Sequence, residues 1–167
     1  LQRFLYKESA AVYVTDINPI SLAAVAKKYS VQPIQPDIFY DLDMDIYAPC
    51  ALGATINDQT IPRLKCQIIA GAANNQLADE TRHGRMLLEK GIIYAPDFLI
   101  SAGGVINVHT ELYGGYNREL AYEHVEQIYE ICLDVLSRSA QEHTPSQEVA
   151  IRLAEQRIHA IRNAHIA

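Results

Sequence analysis

Residues 66–97 read CQIIAGAANNQLADETRHGRMLLEKGIIYAPD. Cys66 to Gly71 is a short, almost wholly apolar run, the pattern of a strand buried on both faces. Asp79 to Lys90 has the make-up of a helix, with Leu87 and Leu88 on its inner side and Gly91 as its stop. Ile92 to Ala95 is one more strand, closed by Pro96. Strand, helix and strand in succession, with no polar alternation in either strand, indicate a parallel sheet covered on both faces rather than an antiparallel sandwich.

The same grammar extends towards the N-terminus. Residues 10–17, AAVYVTDI, are an apolar run closed by an acid, read as a buried parallel strand. Asn18-Pro19 opens a helix over Ser21 to Tyr29, since proline suits a first helical turn. Short strands are expected at Val31 to Ile34, fenced by Pro33 and Pro36, and at Asp45 to Ala48. After Gly115 the character changes. Residues 118–143 and 146–163 read as two long amphipathic helices, the first with Ala121, Val125, Ile128 and Leu136 at roughly helical spacing. Pro145 opens the second, with Thr144 as its cap.

Composition removes several functional classes. The 167 residues carry 14 Lys and Arg against 20 Asp and Glu, a formal charge of −6, with no dominant basic patch for a nucleic-acid backbone. The longest mostly apolar stretch, FLISAGGVINV, falls well short of the roughly 18 residues of a membrane span, and no helix pairs a basic face with an apolar one. Cysteines at 50, 66 and 132 are odd in number and match no metal-ligand spacing, so neither a disulfide framework nor a structural zinc is expected. The six histidines are scattered, and no metal site is expected. LQRFLYKESA is too polar for a signal peptide and reads as the last turns of a helix, and a cytoplasmic location is expected.

Four places can carry chemistry. Asp16 ends a strand, where a carboxylate accepts both hydroxyls of an adenosine ribose. Its usual glycine-rich companion would fall about 20 residues earlier, before Leu1, so a plain turn with Asn18 is the competing reading, and S-adenosylmethionine would fit the same acid. Ala48-Pro49-Cys50-Ala51-Leu52-Gly53 leaves a strand end with small residues that let backbone approach a flat ligand. Cys50 itself reads as a packed core thiol rather than a nucleophile. Ala70-Gly71-Ala72-Ala73-Asn74-Asn75-Gln76 sets three amides at a sheet edge, as ligand contacts or as a turn capping the next helix. Gly103-Gly104 either turns a helix N-terminus towards a ligand or marks a tight helix–sheet contact.

Taken together, TDIN at 15–18, DIYAPCALGATIND at 45–58, IAGAANNQLADE at 69–80, GIIYAPDFLISAGGVIN at 91–107 and ELYGGYNRE at 111–119 resemble the amino-acid dehydrogenase family. That family holds the glutamate, leucine, phenylalanine and valine dehydrogenases, and the likeness is strongest to the leucine enzymes. The resemblance implies an α/β fold: an incomplete Rossmann-type doubly wound parallel sheet lacking its first strand and glycine loop, followed by two long C-terminal helices. It sets residues 1–115 as a partial NAD-binding domain and 116–167 as helices packing on it. It also implies oxidative deamination of an L-amino acid to the 2-oxo acid with release of ammonia and NADH.

By the same resemblance the cofactor is NAD, and Asp16, Ile17, Asn18, Cys50, Ala51, Ala73, Asn74 and Asn107 bind it. Asp16 would hold the ribose, and Asn74 would sit where nicotinamide meets substrate. Val105 and Val108 would line the pocket for the substrate side chain, which suits leucine, valine or isoleucine. The family's catalytic lysines and proton-relay aspartate lie in an N-terminal domain with no counterpart here, so no catalytic residue is assigned and this stretch alone is expected to be inactive. A homo-oligomer through that domain or through the C-terminal helices is implied. Ser101 stands where the family usually has Asn, and Gly114-Gly115 has one glycine more than usual. The competing class is a truncated, inactive paralogue acting as an assembly or binding module.

Overall fold

In a computed structural model, residues 5, 8, 10–112 and 116–164 are described. The helix end read over residues 1–10 lies mostly outside them, and Gly114-Gly115 wholly so. The chain is α/β. In order it forms β1 (Tyr13–Val14), α1 (Pro19–Tyr29), β2 (Gln32–Pro33), α2 (Pro36–Phe39), β3 (Ile46–Tyr47), β4 (Ile68–Ile69), α3 (Glu80–Glu89), β5 (Ile93–Tyr94), α4 (Asp97–Ile100), α5 (Gly103–Leu112), α6 (Arg118–Glu142) and α7 (Ser146–Ala164). The strands make two short parallel sheets, β1-β2 and β3-β4-β5, an incomplete Rossmann-like topology.

Two compact units divide the chain. The first comprises Leu1–Asp43 and Arg63–Lys65, and the second Met44–Pro62 and Cys66–Ala167. Within the first, Asn18 caps α1, its Oδ1 accepting from the N–H groups of Ile20 and Ser21 at 3.0 and 3.2 Å. Ser30 ends the helix at φ 52°. The apolar run 10–17 is a strand only at Tyr13–Val14, paired in register with β2, and Tyr13 is exposed rather than buried as read from the sequence. Arg63 is held within this unit, Nε and Nη2 donating to the Asp41 carboxylate at 2.9 and 2.7 Å, with its guanidinium over the Tyr40 ring.

Within the second unit, β4 is central, paired to β3 in register Ile46↔Ile68 and to β5 in register Ile68↔Ile93. Ile69, Leu87, Tyr47, Ile92 and Tyr94 are buried. The helix α3 runs between its sequence-read limits: Asp79 caps it, Oδ1 accepting from the Arg82 N–H at 2.9 Å, and Gly91 follows at φ 73°, where an L side chain is strained. Leu87 is fully buried, whereas Leu88 is half-buried.

The two long helices pack tightly on each other. Val135, Val149 and Ala150 form a buried cluster against Leu99, Ile131 and Leu153. The inner stripe of α6 is therefore Ala121, Val135 and Ser139, while Val125 is exposed and Ile128 and Leu136 are half-buried. Thr144 donates its hydroxyl back to the Glu142 carbonyl at 3.3 Å, at the end of α6. The Ser139 hydroxyl donates to the Thr144 carbonyl at 2.6 Å, closing the turn between the helices.

Candidate functional site

Parallel pairing brings the C-terminal ends of β3, β4 and β5 to one edge, where open α/β sheets receive ligands. The loops leaving β3 and β4 are laced together there. Ala73 donates its N–H to the Pro49 carbonyl at 2.9 Å, Ala54 to that of Asn75 at 2.7 Å, and Ile56 to that of Gln76 at 3.0 Å. Ala78 completes the seam by donating to the Ile56 carbonyl at 3.0 Å.

Two glycines make the lacing possible. A Cβ on Gly71 would lie 2.1 Å from the Pro49 carbonyl oxygen, and one on Gly53 would lie 2.8 and 2.9 Å from those of Asn74 and Asn75. Both neighbours are backbone, which cannot swing away. Asn75 and Ala54 take left-handed backbone at φ 51° and 56°, a conformation asparagine tolerates better than most residues.

This construction turns Cys50, Ala51, Leu52 and Asn74 outward. Cys50 is thus an exposed free thiol, contrary to the core thiol read from the sequence, because Pro49 rather than Cys50 packs inward beneath the seam. Cys66 is buried, and burial pushes its thiol pKa up. Ala73 is buried, and its N–H is engaged by the Pro49 carbonyl.

The three amides of the second loop divide between tasks. Asn74 is exposed and Asn75 makes the left-handed turn, but Gln76 is fully buried. Its Nε2 donates to the carbonyls of Gly71 and Ala73 at 2.7 and 2.9 Å, and its backbone N–H to Asp97 Oδ2 at 3.3 Å. The other Asp97 oxygen accepts from the Tyr94 hydroxyl at 3.2 Å. Burial, and then the Asp97 charge, drive the Tyr94 pKa far up, so the phenol stays a neutral donor. Neither the clamp formed by Gln76 nor the Asp97–Tyr94 pair is announced by the sequence pattern. The sequence pattern groups Gln76 with Asn74 and Asn75 at the sheet edge, and the apolar Leu77 beside it is the available sign that the chain turns inward.

On α5, Val105 and Val108 are exposed, and Asn107 is half-buried with Nδ2 donating to Glu111 Oε1 at 3.1 Å. A Cβ on Gly103 would meet Val125 at an ordinary 3.8 Å and one on Gly104 would meet open space, so the two glycines mark no tight packing. In the first unit, Asp16 follows β1 on the surface. Its Oδ1 accepts the Asn18 N–H at 2.8 Å, which makes the turn read as one alternative while leaving the carboxylate exposed. Ile17 beside it is 89% exposed. Among the described residues, no group of three or more His, Cys, Asp and Glu could hold a metal ion. Nor is any described helix long and apolar enough to cross a membrane.

Residues 7–165 match the family described as Glutamate/Leucine/Phenylalanine/Valine dehydrogenase. The chain belongs to this family. It is 51% identical to a leucine dehydrogenase of Thermoactinomyces intermedius, over 97% of this chain and 44% of that protein. It is 52% identical to one of Bacillus subtilis, over 98% and 44%. The crystal structure of L-tryptophan dehydrogenase from Nostoc punctiforme superposes with a TM-score of 0.91 at 42% identity, covering 96% of this chain and 48% of that one. The chain thus spans under half the length of these relatives. In this member of the glutamate/leucine/phenylalanine/valine dehydrogenase family, the laced loops after β3 and β4 fall within the matched region.

Proposed function

We propose that the chain is the NAD-binding part of an L-amino-acid dehydrogenase that deaminates leucine or another branched-chain amino acid. The observation that carries this reading is the surface after β3 and β4. Two loops tied by backbone hydrogen bonds present small residues and one exposed amide at the ends of parallel strands, in a chain of this family. Asn74 offers a donor and an acceptor, which suits a carboxamide or an amino-acid carboxylate. Cys50, Ala51 and Leu52 offer a low surface for a flat ring. Asp16, an exposed carboxylate at a strand end, is read as the acceptor for the adenosine ribose, and its charge would repel a 2′-phosphate.

The residues present suit such a ligand. NAD, when bound, would accept a hydride from the amino acid's Cα. The chain's own contribution is binding and orientation, and no described side chain is assigned the acid–base steps. Val105 and Val108, exposed and one turn apart on α5, are read as the apolar wall for a branched side chain. The names of the relatives support an amino-acid substrate, and identity to the leucine enzymes supports a branched one.

The test is binding of NAD and NADP to wild type and Asp16→Ala. Wild type should prefer NAD. The variant should bind NAD at least about tenfold more weakly, the scale of a lost charge-assisted hydrogen bond, and should discriminate less against NADP. Unchanged affinity for both would leave Asp16 as a turn residue only. An absence of nucleotide binding by wild type would favour an assembly module.

A further inference from the structure

The exposed amide read as the nicotinamide and substrate contact, Asn74, sits on a loop whose shape is governed by a residue that touches no surface. Gln76 is 0% exposed and lies two positions beyond it. Its Nε2 reaches back beneath the loop from within, donating to the carbonyls of Gly71 and Ala73, both ahead of Asn74 in the chain. Its backbone N–H is held by Asp97, which Tyr94 holds in turn, and its backbone carbonyl accepts from Ile56 in the neighbouring loop. One side chain thus ties the turn to itself, while its backbone ties the turn to Asp97 at the start of α4 and to the loop after β3.

Cohesion alone does not account for an amide here. Oε1 of Gln76 is buried and has no hydrogen-bond partner among the described residues, an unfavourable state for an acceptor removed from water. An unbranched apolar side chain would fill the same space without that cost. What it could not do is fix the two carbonyls, and with them the direction in which Asn74 leaves the turn.

We propose that Gln76 is a positioning residue: it holds the Asn74 loop in the shape needed at the nicotinamide end of the cofactor, without itself touching cofactor or substrate. This inference rests on the reading of Asn74 given under Proposed function. It predicts a defect confined to the reacting end of the dinucleotide.

The experiment uses Gln76→Met in the protein at its natural length, with melting temperature, binding of ADP-ribose and steady-state kinetics measured in parallel. ADP-ribose carries the adenosine and pyrophosphate of NAD but no nicotinamide. The expected result is ADP-ribose affinity within about twofold of wild type, with kcat lowered at least about tenfold, the scale of two lost hydrogen bonds. A second variant, Gln76→Glu, replaces the donor by a buried carboxyl that can donate only when protonated. Asp97 and Glu80 line the same crevice, and their carboxylates together with burial keep such a carboxyl's pKa high. Its kcat relative to wild type should therefore recover as pH falls.

Wild-type kcat and ADP-ribose affinity in Gln76→Met would overturn the inference. So would a parallel fall in both with a lowered melting temperature, since that is the signature of general structural damage. If wild type neither binds NAD nor oxidises any amino acid, the functional reading itself fails and this inference falls with it. An active wild type with a normal variant removes the inference alone.

Discussion

At the scale of single residues, the loop surface makes its own predictions. Val108 is exposed on α5, one turn beyond Val105. If both wall the side-chain pocket, Val108→Phe should lower kcat/KM for leucine more than for alanine, by about tenfold or more, because overfilling an apolar site costs about 1–3 kcal/mol. Equal losses for both substrates would take Val108 out of the pocket. The thiols offer a second check. Cys50 is exposed, whereas burial raises the pKa of Cys66 and that of half-buried Cys132. A raised thiol pKa means less thiolate at any given pH, and thiolate is the reactive form. Titration with a thiol reagent near neutral pH should therefore show one fast group, Cys50. Cys66 and Cys132 should follow slowly and speed up only at higher pH. Saturating NAD should protect Cys50, and an unprotected Cys50 would argue against nucleotide on this loop.

At the scale of elements, local signals are legible in the sequence and tertiary ones are not. The capping of α1 and α3 is chemistry between neighbours, and Asn18, Asp79 and Gly91 announce it in sequence. Asn18→Ala removes the acceptor for two N–H groups and should cost about 1 kcal/mol of stability, measured by denaturant unfolding. No change in midpoint would mean that α1 is held by packing alone. Strand positions were legible from apolar runs closed by Pro or Gly, but the regular ladders cover only two residues each. Ladder length depends on partners distant in sequence, which a local pattern does not encode. The short helices α2 and α4 give no separate signal because each begins at or beside a proline, Pro36 or Pro96, that equally marks the end of a strand. The inner stripe of α6 shifted to Val135 and Ser139 because α7 and Leu99, rather than the helix's own periodicity, choose which face is covered.

At the scale of the whole molecule, the family likeness and the α/β class were readable from five ordered motifs, and residues 7–165 carry the family match. The division into two units was not readable, because Arg63–Lys65 joins residues 1–43 through the Arg63–Asp41 pair rather than through adjacency in the chain. The candidate surface was half legible. Asn74 and the small residues after Cys50 stood out as types, but their juxtaposition depends on Ala73, Ala54 and Ile56 finding carbonyls across the seam. The clamp by Gln76 depends on burial, which its polar character concealed. The most direct test of the proposed function is NADH production by the protein at its natural length, with leucine, valine, phenylalanine, tryptophan and glutamate compared at equal enzyme. Reduction of NAD with leucine or valine at a kcat/KM well above that for the aromatic and acidic substrates is the predicted result. NAD reduction led by glutamate or tryptophan, or by no amino acid at all, would contradict it.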